Sequence, residues 1–275
     1  MKKGLFTLLL IGFMIILAGC TSTSTNDEKK LVLGATAGPY SDQLKEGIVP
    51  LLEEKGYKVD IVEFNDYIQP NIALNEGEID ANLYQNRNYL KNFNEENGMD
   101  LVPVFAVPTA PMALYSDKHT SLNDIDKGMT ITLPNDPTNL ARALHMAEHY
   151  GWISIDQSVN PLTASEKDIL ENKFDLNFKP IEAAQTPRSL SDADYAFING
   201  NFAIDSGLQL EEAVDLERTQ EDFLIYLTVR KEDKNSTFVK DLEEAYKSKE
   251  FLHYTNENSK GYVKPPYQHE MEEGQ

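Results

Sequence analysis

Two periods of apolar and polar positions alternate along the chain and change over at turn residues. "LVLGAT" (31–36) is a β-rich run that ends in the glycine-containing "AGPY". "YSDQLKEGIVPLLEEKG" (40–56) predicts a helix capped by Ser41, interrupted at Pro50 and stopped at Gly56. "YKVDIVEF" (57–64) alternates with period two, as a half-buried strand does. The pattern then predicts a short helix over 67–78, a strand end over 79–85, a helix over 87–98 and strands over 101–107 and 111–116. A second series follows: a strand (129–134), a helix (137–150), a helical stretch (165–173) and an extended one (176–183). It ends with a strand running into a turn (194–200), a strongly β run (223–230) and a closing helix (235–254). There is no repeat of solenoid period. The alternation predicts an α/β protein with one largely parallel sheet, or two. In such sheets ligands bind at the carboxyl ends of strands, where loops meet helix N-termini.

The N-terminus has a different pattern. Lys2 and Lys3 precede "LFTLLLIGFMIIL", and "LAGC" (Leu17 to Cys20) follows. That order is the charged region, apolar region and small-residue cleavage site of an export signal, and the apolar run is short for a membrane span. The chain's single cysteine stands directly after the small residues. "LAGC" resembles the lipobox of bacterial lipoproteins, which implies cleavage after residue 19 and lipidation of Cys20. With no second cysteine, no intrachain disulfide can form. "TSTSTNDEKK" is polar and aperiodic, so residues 20–30 are expected to form a flexible tether.

What remains, roughly 245 residues, is enough for one large domain or two lobes. The formal charge is −20, and removal of Lys2 and Lys3 makes it more negative. An acidic body argues against nucleic acid, which needs a basic face. Any anionic ligand must be held by local donors. The chain has no G-x-S-x-G, P-loop or G-x-G-x-x-G motif, and nothing pairs a nucleophile with a base. The expectation is a chain that does no chemistry and carries no cofactor or metal.

"LPNDPTNLARAL" (133–144) raises the most pointed question. Asp136 and Pro137 suit the N-cap and first position of a helix. Arg142 then comes early, where the macrodipole disfavours a cation. At about 100° per residue, Leu140, Ala143, Leu144 and Ala147 share one face, with Arg142, His145 and His149 opposite. Arg142 is therefore either a solvated residue or part of a cleft in which the helix N-terminus, Asn135, Asn139 and Arg142 hold a carboxylate. "HMAEH" (145–149) matches H-x-x-E-H, with two histidines at metal-ligand spacing but no evident third ligand. Tyr67, Tyr84 and Tyr89 fall in a segment dense in Asn and Gln, and either fill a core or line a pocket. "INGN" (198–201) offers two amide side chains at a strand end, or is a simple turn.

Taken in order, "FNDYIQPNIAL", "GEIDANLYQNRNYL", "PMALYS", "LPNDPTNLARAL", "EAAQTPRSL" and "INGNFA" resemble the NlpA/MetQ-type lipoproteins, methionine-binding receptors of ABC importers. The resemblance runs from about residue 31 to the C-terminus. It implies a two-lobed periplasmic-binding-protein-like fold, type 2-like, with a ligand cleft between lobes. Residues 31–113 plus 223–275 would form one lobe and 114–222 the other. It implies a monomer on the outer face of the cell membrane that passes an amino acid or short peptide to a permease and its ATPase. Arg142 looks like the family's carboxylate-binding arginine, Asn139 and Asn199 like its polar partners, and Tyr67, Tyr84 and Tyr89 like the side-chain pocket. The chain departs from the pattern twice. "YQNRNYL" puts Asn86 where the family's "FQHRPYL" has a histidine. "FLIYLTVR" puts Ile225 where "YANVIVVR" carries an asparagine near the ligand's amino group. Either a neighbour replaces that amide or the ligand differs from free L-methionine.

Overall fold

The computed structural model describes residues 29–274. The export signal and Cys20 lie outside the described residues. Strand β1 (Lys29–Thr36) begins two residues earlier than expected, because Lys29 and Lys30 already pair in register with Tyr57 and Lys58 of β2 (Tyr57–Phe64). Between them runs a helical segment, α1: Pro39–Asp42, a π-helical stretch Gln43–Ile48, and Val49–Glu54. Ser41 lies inside it rather than capping it, and Gly38 precedes it with a φ of 83°. The expected interruption at Pro50 takes the form of the wide π turn directly before it, a common accommodation where the i→i−4 ladder is disturbed. Helix α2 (Gln69–Glu76), β3 (Ala81–Asn86), α3 (Arg87–Asn97) and β4 (Val102–Val107) follow as predicted, with shifted ends.

The chain then passes into a second sheet through β5 (Ala113–Tyr115). This half contains β6 (Thr130–Pro134), α4 (Pro137–His149), β7 (Ile153–Ile155), β8 (Ile169–Asn172) and β9 (Asn177–Ile181). It continues with β10 (Tyr195–Ile198), α5 (Gly200–Asp205) and the two-residue β11 (Asp215–Leu216). Strand β12 (Ile225–Val229) returns to the first sheet, and α6 (Thr237–Tyr246), α7 (Lys249–Asn258) and α8 (Pro266–Glu273) close the chain.

The two sheets have orders β2-β1-β3-β12-β4 and β11-β5-β10-β6-β9. Both are parallel apart from one strand. In the first sheet β12 runs against β3 and β4, and in the second β5 runs against β10 and β11. These two reversed strands are the first that the chain lays down on each crossing between sheets. A β-bulge in β12 at Tyr226 and Leu227 lies beside Ile225, where such bulges re-aim side chains.

Each sheet has its own core. In the first, Leu31, Leu33, Leu83 and Val229 pack with Leu44, Ile48 and Leu52 of α1 and with Leu242, Tyr246 and Phe251 of the closing helices. In the second, Ile131 and Leu133 meet Leu140, Leu144, Trp152 and Phe197. Each fully buried Leu or Ile contributes about 1.5–3 kcal/mol. Two elements differ from expectation. The stretch 165–173 is not a helix: one 3-10 turn (Glu166–Asp168) leads into β8, which pairs antiparallel with β7. The closing helix breaks at Lys247, where Ser248 caps a new helix by accepting the Phe251 N–H.

Candidate ligand-binding site

Four helix N-termini and the ends of β3 and β10 converge between the sheets. They frame a narrow cavity lined by Tyr40 of α1, Tyr84 to Asn86 of β3, Tyr89 of α3, Asn139 and Arg142 of α4, and Gly200 and Asn201 of α5. Tyr67, Asn199, Ile225 and the crossing residues Thr109 and Ala110 complete the wall. Gly200 is required by contact: a Cβ there would sit 2.5 Å from the Pro111 carbonyl. Tyr67, Tyr84, Asn86, Tyr89, Asn139, Arg142, Asn199 and Ile225, all singled out in the sequence, therefore line one cavity.

One wall is aromatic. Tyr67 stacks on Tyr84 at 5.6 Å and on Phe202 at 4.9 Å, and Tyr89 meets both tyrosines edge-on. The hydroxyls of Tyr84 and Tyr89 both donate to the Tyr67 carbonyl, at 2.8 Å each. Tyr67 donates its own to Asn201 Oδ1. All three hydroxyl protons are thus used within the protein, and burial pushes all three phenols well above their ordinary range. Gln85 is likewise occupied, its amide held by Asn71 and Asn82. This wall offers ring faces rather than polar contacts.

The opposite wall is polar and ordered as a relay. Asp136 caps α4 by accepting the Asn139 N–H, and both its oxygens accept from Asn139 Nδ2 at 3.0 Å. Burial pushes the Asp136 carboxyl up, and the Asn139 hydrogen bonds and Arg142 only partly offset it. With its NH₂ turned to Asp136, Asn139 presents Oδ1, which accepts from Asn199 Nδ2 at 3.0 Å. That in turn fixes Asn199 Oδ1, which is buried and has no hydrogen-bond partner among the described residues. An unpaired buried carbonyl costs roughly 1–3 kcal/mol unless something donates to it.

Arg142 is buried, not solvated, which corrects the outward placement that helical spacing alone allowed. The segment after β11 covers that side of α4. Arg142 Nε and Nη2 both donate to the Glu217 carboxylate, the two side chains are 5% and 9% exposed, and the guanidinium lies over the Phe223 ring at 5.0 Å. Burial alone would lower the Arg142 pKa, but the Glu217 charge and hydrogen bonds outweigh it and hold it above its ordinary value. Thr219 Oγ1 also donates to Glu217. Of the five guanidinium N–H groups, those on the Nη1–Nη2 edge remain for another acceptor. Glu217 was not singled out in the sequence. It is one of 45 acidic residues and meets Arg142 across 75 positions.

Asn86 and Ile225 are partly engaged by the backbone. Asn86 caps α3 through Oδ1, which accepts the Tyr89 N–H at 2.8 Å. The Ile225 N–H donates to Thr109 Oγ1, and its side chain adds an apolar surface to the cavity. The histidines of "HMAEH" stand elsewhere. His145 meets the Pro161 carbonyl at 2.9 Å, His149 is exposed, and Glu148 accepts the Ile155 N–H. No group of three potential metal-ligating side chains occurs among the described residues.

A family model described as NlpA lipoprotein matches residues 31–267. The chain belongs to the NlpA lipoprotein family. It is 34% identical to the methionine-binding lipoprotein MetQ of Bacillus subtilis, over 96% of this chain and 99% of that one. The D-methionine-binding lipoprotein MetQ of Salmonella typhi is 36% identical, over 90% of this chain and 91% of its own length. Among solved structures, a nutrient binding protein from Burkholderia cenocepacia bound to methionine superposes with a TM-score of 0.81 at 34% identity. That match covers 85% of this NlpA lipoprotein and 99% of the other chain. The two sheets are thus the two lobes of a substrate-binding fold, and the cavity lies between them.

Proposed function

We propose that this NlpA lipoprotein captures methionine, or a related amino acid or short peptide, between its lobes and hands it to an ABC permease without chemical change. The observation that carries this reading is the pairing of two unfilled polar groups in one aromatic-walled cavity. Arg142 has a free guanidinium edge for a carboxylate. Asn199 Oδ1 has no donor and suits an ammonium. The faces of Tyr67, Tyr84 and Tyr89 suit a thioether, at roughly 0.3–1.5 kcal/mol per sulfur–aromatic contact. With Ile225 in place of the family's amide, Asn199 is the polar partner left to accept from the ligand's amino group. In this reading the lobes are residues 31–113 plus 223–275 and residues 114–222. The protein acts as a monomer tethered through Cys20 outside the cytoplasm, and needs no cofactor or metal.

The test is native purification, mass spectrometry of whatever co-purifies, and calorimetric titration of the emptied protein with L-methionine, D-methionine and glycyl-methionine. A co-purifying methionine-type compound and binding of at least one of the three are expected. Asn199→Ala should weaken that binding about tenfold or more, the value of one hydrogen bond to a charged group. No binding of any of the three, with an unrelated co-purifying compound, would overturn the reading.

A further inference from the structure

We infer that Glu217 makes the cavity a charge filter, admitting ligands with a free amino group and excluding the same acids without one. The inference rests on the reading that Arg142 takes the ligand's carboxylate. It concerns a residue that does not line the cavity and that acts through the arginine.

The argument is one of charge balance. An arginine alone in a closed cavity would welcome any carboxylate, because a buried guanidinium needs a counter-ion. Here the counter-ion is already supplied by Glu217, at the side-on edge of the guanidinium and 9% exposed. The pair is neutral before a ligand arrives. The other acidic group near the cavity, Asp136, is bonded to Asn139, which carries no charge. A ligand bringing only a carboxylate would therefore add a negative charge that nothing in the cavity balances, and burial makes such a charge costly. A zwitterion brings its own positive charge, and the partnerless Oδ1 of Asn199 is there to accept from it. Asp136, which orients Asn139 and through it Asn199, adds attraction of the same sign for an ammonium. Thr219 donates to the same Glu217 oxygen as Arg142 Nη2, which helps to keep the carboxylate on the arginine.

Removal of the Glu217 charge should therefore change selectivity as well as affinity. The probes are L-methionine, its 2-hydroxy analogue and N-acetyl-L-methionine, titrated at pH 7 into wild type, Glu217→Gln and Glu217→Asp. In wild type, both probes without the amino group should bind at least roughly 100-fold more weakly than methionine. In Glu217→Gln that ratio should fall by about tenfold or more, with the amine-free acids gaining absolute affinity. Glu217→Asp keeps the charge and should keep the ratio, even where overall affinity drops. A purely structural Glu217 would weaken all probes alike, and that result would overturn the filter while leaving the methionine reading intact. Wild type binding the 2-hydroxy acid within threefold of methionine would overturn it too, without a variant having to fold. Wild type that binds none of the probes removes the reading and the filter together.

Discussion

Arg142 and Glu217 change what a simple truncation reports. Replacing the arginine by alanine removes the proposed ligand anchor, but also leaves a buried carboxylate without its cation. Breaking one partner of such a pair costs about 3–5 kcal/mol, whereas replacing both by apolar residues of similar volume is often neutral. Arg142→Ala is therefore expected to lose both binding and about 3–5 kcal/mol of stability. The double variant Arg142→Met with Glu217→Leu should recover most of that stability and none of the binding. Urea denaturation alongside titration separates the two effects, and a double variant as unstable as Arg142→Ala would contradict the account. The single residues differ in how legible they were. Asn139, Asn199 and the three tyrosines stand out because their types cluster at strand ends and helix starts. Glu217 does not, because its role lies in a contact between distant segments and no local pattern marks an acid that will be covered. Arg142 was ambiguous for the same reason: helical spacing places it opposite the apolar stripe, and only the tertiary cover of residues 217–223 buries it.

The elements were legible where local chemistry and tertiary pairing agree. α4 begins at the Asp136–Pro137 pair that predicts it. The stretch 165–173 departs from its local pattern: "SEKDILENK" has helical propensity, but pairing of Ile153 with Asn172 and of Ile155 with Ile169 draws it into a hairpin. The ends of β6 and β10 carry a further device. Asp194 accepts the Thr130 N–H at 2.8 Å and a Lys118 ammonium at 3.3 Å, while its own N–H donates to the Thr130 carbonyl. Burial works against its charge, but Thr130, Lys118 and His119 outweigh it and hold the carboxyl below its ordinary value of 3.8. A carboxyl lowered on folding stabilises the native state above its unfolded value, and that stability is lost as pH falls through its folded value. Asp194→Asn should thus cost about 1 kcal/mol at neutral pH. The gap to wild type should close progressively below about pH 3.8. Denaturant titrations at several pH values read this directly, and a gap of constant size down to pH 3 would mean that the charge is not what Asp194 contributes.

At the scale of the whole molecule, the question is what holds the two lobes together over a ligand. Asn201, at the start of α5 in the second lobe, bonds the first lobe at both ends of its amide. Its Oδ1 accepts from Tyr67 at 2.6 Å, and its Nδ2 donates to Thr36 at 3.3 Å. Both bonds are buried, and both must break before the lobes can part far enough to release what lies between them. When the lobes open, water replaces the partners, so each bond contributes only about 0.5–1.5 kcal/mol net to closure. Loss of the pair is nonetheless worth on the order of tenfold in rate, since 1.4 kcal/mol is a factor of ten. Because these bonds join the two lobes, that factor should fall mainly on dissociation. Tyr67→Phe isolates the effect: it removes the hydroxyl and keeps the ring that stacks on Tyr84 and Phe202, so the aromatic wall is unchanged. It leaves Asn201 Oδ1 without a donor in the closed state, which adds to the drive to open. Stopped-flow displacement of bound methionine should show dissociation about tenfold faster in Tyr67→Phe and in Asn201→Ala, with association altered less. Dissociation within twofold of wild type in both variants would mean that the ligand's own contacts with the two lobes, rather than the Tyr67–Asn201–Thr36 chain, keep the cleft shut.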